Sequence, residues 1–225
     1  MIFNHVNVNK FDTLEQITQE DGVRFYQTPS GRKYPSITTI LGAQSKQGIL
    51  EWRKRVGEEA ANKISKAATT RGTKLHAYIE NYLNNTNAIE EMSFFQKELF
   101  TSIMPELHKI NNIHVQEQKL YSDHLRLAGT VDCIGEYQGK LAVIDFKTSG
   151  KLKKKEWIHS YFMQCAAYAI MYEERTGIPI SKLVILIAVE DENPQVFVEK
   201  RDNWVKELLK CRDSYEMDNN LLTFS

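Results

Sequence analysis

The stretch from Gly129 to Thr148, GTVDCIGEYQGKLAVIDFKT, constrains this chain more than any other. It reads as a strand, a tight turn at Gln138-Gly139 and a second strand. The first strand carries Asp132, and the second carries Asp145 and Lys147. Residues i and i+2 of a strand project from one face, so this acid and this amine stand side by side. The hairpin places Asp132 and Asp145 on neighbouring strands. Leu141, Val143, Ile144 and Phe146 fall on both phases of the alternation, which predicts an interior strand covered on both faces. Charges in such a strand are costly unless they are paired or bind a metal. Two readings satisfy the pattern. One is a hairpin closed by a salt bridge, since Asp-x-Lys alone is common. The other is a site that holds a divalent cation and steers a water at a phosphodiester.

Composition removes several other classes. A chain of 225 residues is one domain, or one with an embellishment, and can bury a normal core without staples. It has no run of 18 apolar residues, so no helical membrane span is expected. Cys133, Cys165 and Cys211 are far apart with no CxxC; they make neither a zinc site nor a disulfide framework and fit a reducing compartment. The first residues lack the apolar stretch of a secretory signal, and Asp12, Glu15, Glu20 and Asp21 are foreign to an import segment. With 29 basic and 29 acidic residues, a protein that coats nucleic acid generally is excluded. The charge is uneven, however. Lys46, Arg53, Lys54, Arg55, Lys63, Lys66, Arg71 and Lys74 face only Glu51, Glu58 and Glu59 in the same stretch, and Lys151, Lys153, Lys154 and Lys155 directly follow the Asp-x-Lys strand. Each cluster is either a solvated face or a path for a phosphate backbone.

Along the chain, residues 1–22 are polar and are expected to be loosely attached. Val23 to Gln27 and Lys33 to Pro35 flank Thr28-Pro29-Ser30-Gly31 and predict a hairpin. Ser36 is a good N-cap for a short helix to Leu41. A second helix is expected from Gly48 to Ala68, with Ile49, Trp52, Val56, Ala60 and Ile64 on one stripe. Thr69 or Thr70 caps a third helix to about Asn84, with Leu75, Ile79 and Leu83 inward. After a loop through Asn87, a helix is expected from Glu90 to His108, then strands near 112–121, 126–137 and 140–147. A helix from about Glu156 to Thr176 stops at Gly177-Ile178-Pro179. Strands near 183–189 and 196–199 and a helix over 201–217 complete the order. Helix, three strands, helix, strand predicts an α/β sandwich around a mixed sheet. The organisation expected is an N-terminal hairpin and helical extension over 1–69, packed on a core over 70–225.

Several short motifs recur in a fixed order: Tyr34-Pro35-Ser36-Ile37-Thr38-Thr39-Ile40-Leu41, Arg71-Gly72-Thr73-Lys74-Leu75-His76, Glu117, Gly129-Thr130-Val131-Asp132, Ile144-Asp145-Phe146-Lys147-Thr148, and Gln164 with Tyr168. Together they resemble the PD-(D/E)xK nucleases of the RecB-like branch, and within it the group of mitochondrial genome maintenance exonucleases with its phage and bacterial relatives. The resemblance covers residues from about 24 to 58 and from about 70 to 190. It implies a restriction-endonuclease-like αβββαβ core and a Mg²⁺- or Mn²⁺-dependent exonuclease acting on single-stranded DNA or DNA ends. In that chemistry a water attacks phosphorus and the 3′ oxygen leaves. The lack of an import segment implies a bacterial cell or a phage-infected host, with replication or recombination proteins as partners and no membrane. Three scattered cysteines cannot supply the four that hold an iron–sulfur cluster in some relatives.

The resemblance assigns metal binding to His76, Asp132, Asp145, the Phe146 carbonyl and Glu117. For His76 the competing reading is a structural helix histidine, and for Glu117 an exposed strand charge beside Lys119. An imidazole ligand would favour Mn²⁺ over Mg²⁺. Lys147 joins Asp132 and Asp145 as a catalytic group. A nearby dication and burial would lower its pKa, so that it orients or deprotonates the water or stabilises transition-state charge. Gln164 and Tyr168, at i and i+4 of a helix, point the same way and by resemblance line the cleft. DNA contacts are expected from Ser36, Thr38, Arg53, Arg71, Lys153 and Lys154, with Phe25, Tyr34 and Trp52 as candidates for base stacking. Two other functions stay open: a structure-specific endonuclease or recombination-complex subunit, and a DNA-binding module that does not cut.

Overall fold

A five-stranded sheet organises the molecule, in the order β4-β5-β6-β7-β8. The computed structural model describes residues 1–8, 11–20, 22–86 and 92–219. The strands are β4 (Ile110–Ser122), β5 (Leu127–Tyr137), β6 (Lys140–Ser149), β7 (Lys182–Val189) and β8 (Gln195–Lys200). β4, β5 and β6 form an antiparallel meander. Gln138 and Gly139 join β5 to β6 with φ of 53° and 72°, the pair of left-handed residues that a type I′ hairpin turn requires. β6 then runs parallel to β7. A parallel neighbour needs a crossover, and α4 (His159–Thr176) supplies it. Gly177 ends α4 in the left-handed conformation, its N–H donating to the Glu173 carbonyl.

Both faces of the sheet are covered, as the two-phase apolar pattern of β6 predicts. Ile144 and Phe146 pack with Leu75, Ile79 and Leu83 of α2 (Glu58–Leu83) and with Leu99, Phe100 and Ile103 of α3 (Phe94–Leu107). Val143 packs the other way, with Phe162, Ala166 and Tyr168 of α4 and Leu208 of α5 (Asp202–Asp218). The expected α/β sandwich around a mixed sheet is therefore what the chain forms. A separate antiparallel sheet, β1 (Glu15–Thr18), β2 (Arg24–Gln27) and β3 (Lys33–Pro35), holds the expected hairpin.

The N-terminal half departs from expectation in three ways. First, the described residues before 22 are not loosely attached. Phe3 and Leu14 are buried, His5 bridges to Ile113 on the β4 edge, and residues 15–18 add β1 to the hairpin. The gain is that the edge of β4 is covered, which an exposed strand edge needs. Second, α1 runs unbroken over Ile37–Val56, and α2 begins after Gly57. Gly57 has φ 86° and ψ 146°, a region close to the one only glycine occupies at low cost, so the break falls there and not at Thr69-Thr70. The boundary expected at 69 lies inside α2. Third, the apolar stripe is not buried at its two ends: Ile49 and Ile64 are each about half exposed. The expected start of α3 at Glu90 and the loop at Asn87 lie outside the described residues.

Candidate active site

The ladder between β5 and β6 ends at Cys133 and Ile144. Beyond it, β6 stays paired with β7 to Ser149 and Val189, while β5 stays paired with β4. The two central strands part, and a fork opens in the sheet. A backbone N–H at such a fork needs a new acceptor. That of Phe146 donates to Asp132 Oδ2 at 2.9 Å, so the carboxylate on β5 takes the place of a ladder partner.

His76 enters the fork from α2, with Nε2 2.7 Å from the Phe146 carbonyl oxygen. A carbonyl only accepts, so Nε2 carries a proton. Nδ1 is then the atom that faces Asp132 Oδ2 at 3.7 Å and Glu117 Oε1 at 3.9 Å. Burial acts to lower the His76 pKa, but Glu117 and Asp132 outweigh it and the group is raised to about 9. Glu117 stands between the paired residues Gln116–Cys133 and Gln118–Val131 with φ of 45°. A glutamate in this left-handed conformation is strained, typically by about 1–3 kcal/mol, and such strain collects at functional positions. His76, Glu117 and Asp132 each bring one donor atom within 4.8 Å of the others. A cavity of about 480 Å³, lined by Gly72, Thr73, His76, Ala77, Glu80 and Glu117, opens beside them.

Asp145 and Lys147 project toward α4, on the phase of β6 opposite to Phe146. Asp145 is 2% exposed. Lys147 Nζ donates to its Oδ1 at 2.6 Å. The other oxygen, Oδ2, is close to the same nitrogen at 2.5 Å but off the hydrogen-bonding direction, and it is buried without a hydrogen bond. Burial raises the Asp145 carboxyl against the opposing pull of Lys147. For Lys147, burial acts downward but Asp145 and Asp132 outweigh it, and its pKa is raised. Burial thus acts in the direction expected from the sequence, and the upward pull comes from the chain's own carboxylates.

Two carboxylates and an imidazole nitrogen, with an orphaned carboxylate oxygen adjoining, are a donor set suited to a hard divalent cation that accepts one nitrogen. Glu117, for which two readings were open, stands in this cluster. Asp145 lies outside the three-residue group, turned to Lys147, because a buried carboxylate needs a counter-charge. The Phe146 carbonyl, expected as a ligand, accepts the His76 hydrogen bond and orients the ring.

Gln164 and Tyr168 are both buried on α4. Tyr168 lies against the backbone of Gly129: a Cβ there would stand 2.8 Å from both the ring edge and the hydroxyl. Gly129→Ala is therefore expected to destabilise the protein by about 1–3 kcal/mol, as overpacking does, visible as a lower urea midpoint; an unchanged midpoint would mean the contact yields freely.

The expected DNA contacts are less uniform. Ser36 is 1% exposed, and its Oγ accepts from Thr39 N as the cap of α1. Thr38 is exposed. Arg53 is engaged across the Gly57 break with Glu58 and Asn62, and Arg71 forms an ion pair with Glu190; both guanidiniums are committed within the fold. Tyr34 is buried, its hydroxyl donating to Asp123. Phe25 and Trp52 are half-buried. Lys154 is exposed and Lys153 half-buried, whereas Lys155 pairs with Glu199. One neighbour of the site escaped the sequence reading. Tyr161 lies under Lys147, with Nζ 5.1 Å from the ring centroid. Its spacing of three from Gln164 and seven from Tyr168, one helix face, was the available signal.

Comparison with known proteins agrees with this geometry. Residues 50–211 match the PD-(D/E)XK nuclease superfamily. Mitochondrial genome maintenance exonuclease 1 from Homo sapiens is 26% identical over 206 residues, covering 83% of this chain and 59% of the human protein. The Mus musculus protein is 28% identical over 208 residues, covering 83% and 60%. That from Xenopus tropicalis is 29% identical over 174 residues, covering 71% and 50%. The chain spans between half and three fifths of the length of these relatives. The superfamily match takes in the whole forked sheet with α2, α3 and α4, and on that ground the chain belongs to the PD-(D/E)XK nuclease superfamily.

Proposed function

We propose that this nuclease is a Mg²⁺- or Mn²⁺-dependent exonuclease acting on single-stranded DNA or DNA ends, in replication, repair or recombination in a bacterial or phage-infected cell. The observation that carries the reading is the convergence of His76, Glu117 and Asp132 beside buried Asp145 and the half-buried Lys147 bound to it. His76, Glu117 and Asp132 would hold the ion, with Asp145 as the adjoining carboxylate. A divalent ion supplies Lewis-acid polarisation of the phosphate and a more acidic water. Lys147 presents an ammonium where negative charge develops on the phosphoryl oxygens. The Phe146 carbonyl keeps the His76 proton on Nε2, which leaves Nδ1 to the ion. Similarity to the maintenance exonucleases supports action at ends.

Digestion of linear against circular single-stranded DNA, with Mg²⁺, Mn²⁺ or chelator, tests the proposal. Linear DNA is expected to be degraded with either metal and circular DNA to survive. Equal loss of both would make the enzyme an endonuclease, and cleavage in chelator would remove the metal from the mechanism.

Lys151, Lys153 and Lys154 follow β6 and have no ion pair among the described residues, unlike Lys155. Replacing the three with glutamine is expected to weaken single-strand binding and to flatten its salt dependence by about 0.7 per lost phosphate contact. Fluorescence anisotropy across a salt series reads this slope; an unchanged slope would place the strand elsewhere.

A further inference from the structure

We propose that Tyr161 is a positioning residue for cleavage: its ring face holds the Lys147 ammonium in the orientation that serves the reacting phosphate. This rests on the reading of Lys147 as a catalytic group. Nζ lies 5.1 Å from the ring centroid, inside the roughly 6 Å over which an aromatic face attracts a cation. The hydrogen bond of the ammonium runs to Asp145. One carboxylate fixes how far Nζ reaches but leaves its direction free, because a lysine stem has four rotatable bonds. The ring supplies the second constraint. Tyr161 stands in the first turn of α4, ahead of Phe162, Met163, Gln164 and Cys165, all buried, so the backbone that carries it is anchored in the core. An aromatic face has a particular advantage at this position. A further carboxylate would hold the ammonium more tightly, but it would add negative charge beside a phosphate that is itself gaining negative charge. A ring attracts the cation through its quadrupole and adds no net charge, so the ammonium keeps its full effect on the transition state.

The test compares kcat and KM for Tyr161→Phe, Tyr161→Leu and a fluorinated phenylalanine placed at 161, with Lys147→Ala in parallel. Tyr161→Phe keeps the ring and should stay within about twofold of wild type. Tyr161→Leu should lose about tenfold in kcat with KM and Tm unchanged, near the upper end for a desolvated cation–π contact. Fluorination keeps the shape and drains the ring face, so kcat should fall while Tm does not. A role in packing alone would not respond to fluorination. In the Lys147→Ala background, Tyr161→Leu should cost nothing more. If Lys147→Ala is inactive while the leucine or fluorinated variant turns over at the wild-type rate, the inference about Tyr161 is overturned. It is also overturned if Tyr161→Phe is as slow as Tyr161→Leu, since the hydroxyl would then be the working part. If Lys147→Ala itself cuts normally, the reading of the site fails first.

Discussion

Lys147→Ala and Asp145→Asn are each expected to lower cleavage at least ~10³-fold, a barrier increase of about 4 kcal/mol. The two side chains share one face of β6 and are bound to each other at 2.6 Å, so loss of either disables both. Removal of Lys147 takes away the ammonium and leaves a carboxylate that burial already pushes toward its neutral form. Protonation relieves that buried charge, and the fold survives the change. Removal of the Asp145 charge takes away the counter-charge that holds the ammonium; asparagine is chosen because it keeps the side-chain volume while removing that charge. Cleavage rates of purified variants with wild-type circular dichroism decide the matter. Activity within about tenfold of wild type for either variant would sink the mechanism and return the Asp-x-Lys pair to a structural salt bridge.

Asp132→Asn is expected to weaken Mn²⁺ binding at least ~100-fold in calorimetric titration. Loss of a residue that merely orients a ligand typically costs 10- to 100-fold, and Asp132 is itself one of the three converging donors. The substitution separates its two roles. The asparagine Oδ1 can still accept from the Phe146 N–H, the 2.9 Å bond that closes the fork, while the charge that attracts the cation is gone. Stability should therefore change little and ion binding greatly. Unchanged Mn²⁺ affinity would place the ion away from the fork. A collapse of stability in step with binding would make the Asp132 charge a structural requirement.

The central sheet was legible in the sequence because its signals are local. The two-phase apolar run of β6 and the Gln138-Gly139 turn depend on neighbours a few residues apart. So does the stop at Gly177-Ile178-Pro179, and all three behave as expected. The N-terminal half was less legible. The sequence predicts a helix running through Gly57 to Ala68 with a new one capped at Thr69 or Thr70, whereas the break falls at Gly57, whose backbone has φ 86°. The apolar stripe through Ile49 and Ile64 has helical spacing, yet spacing says nothing about whether a partner surface lies opposite.

From the sequence came the candidates: Asp132, Asp145 and Lys147 from strand alternation and the hairpin, and His76, Glu117, Gln164 and Tyr168 from the resemblance. Only the tertiary structure decided how they divide. It set Glu117 with His76 and Asp132 and turned Asp145 toward Lys147. It gave the Phe146 carbonyl to His76 and withdrew Ser36 into a helix cap. It also brought Tyr161 under the lysine. The reason is physical. Strand and helix periods fix the face from which a side chain leaves the backbone, but a carboxylate or an ammonium goes to whichever counter-charge the folded chain brings within a few ångströms, and that distance is set where β5 and β6 part.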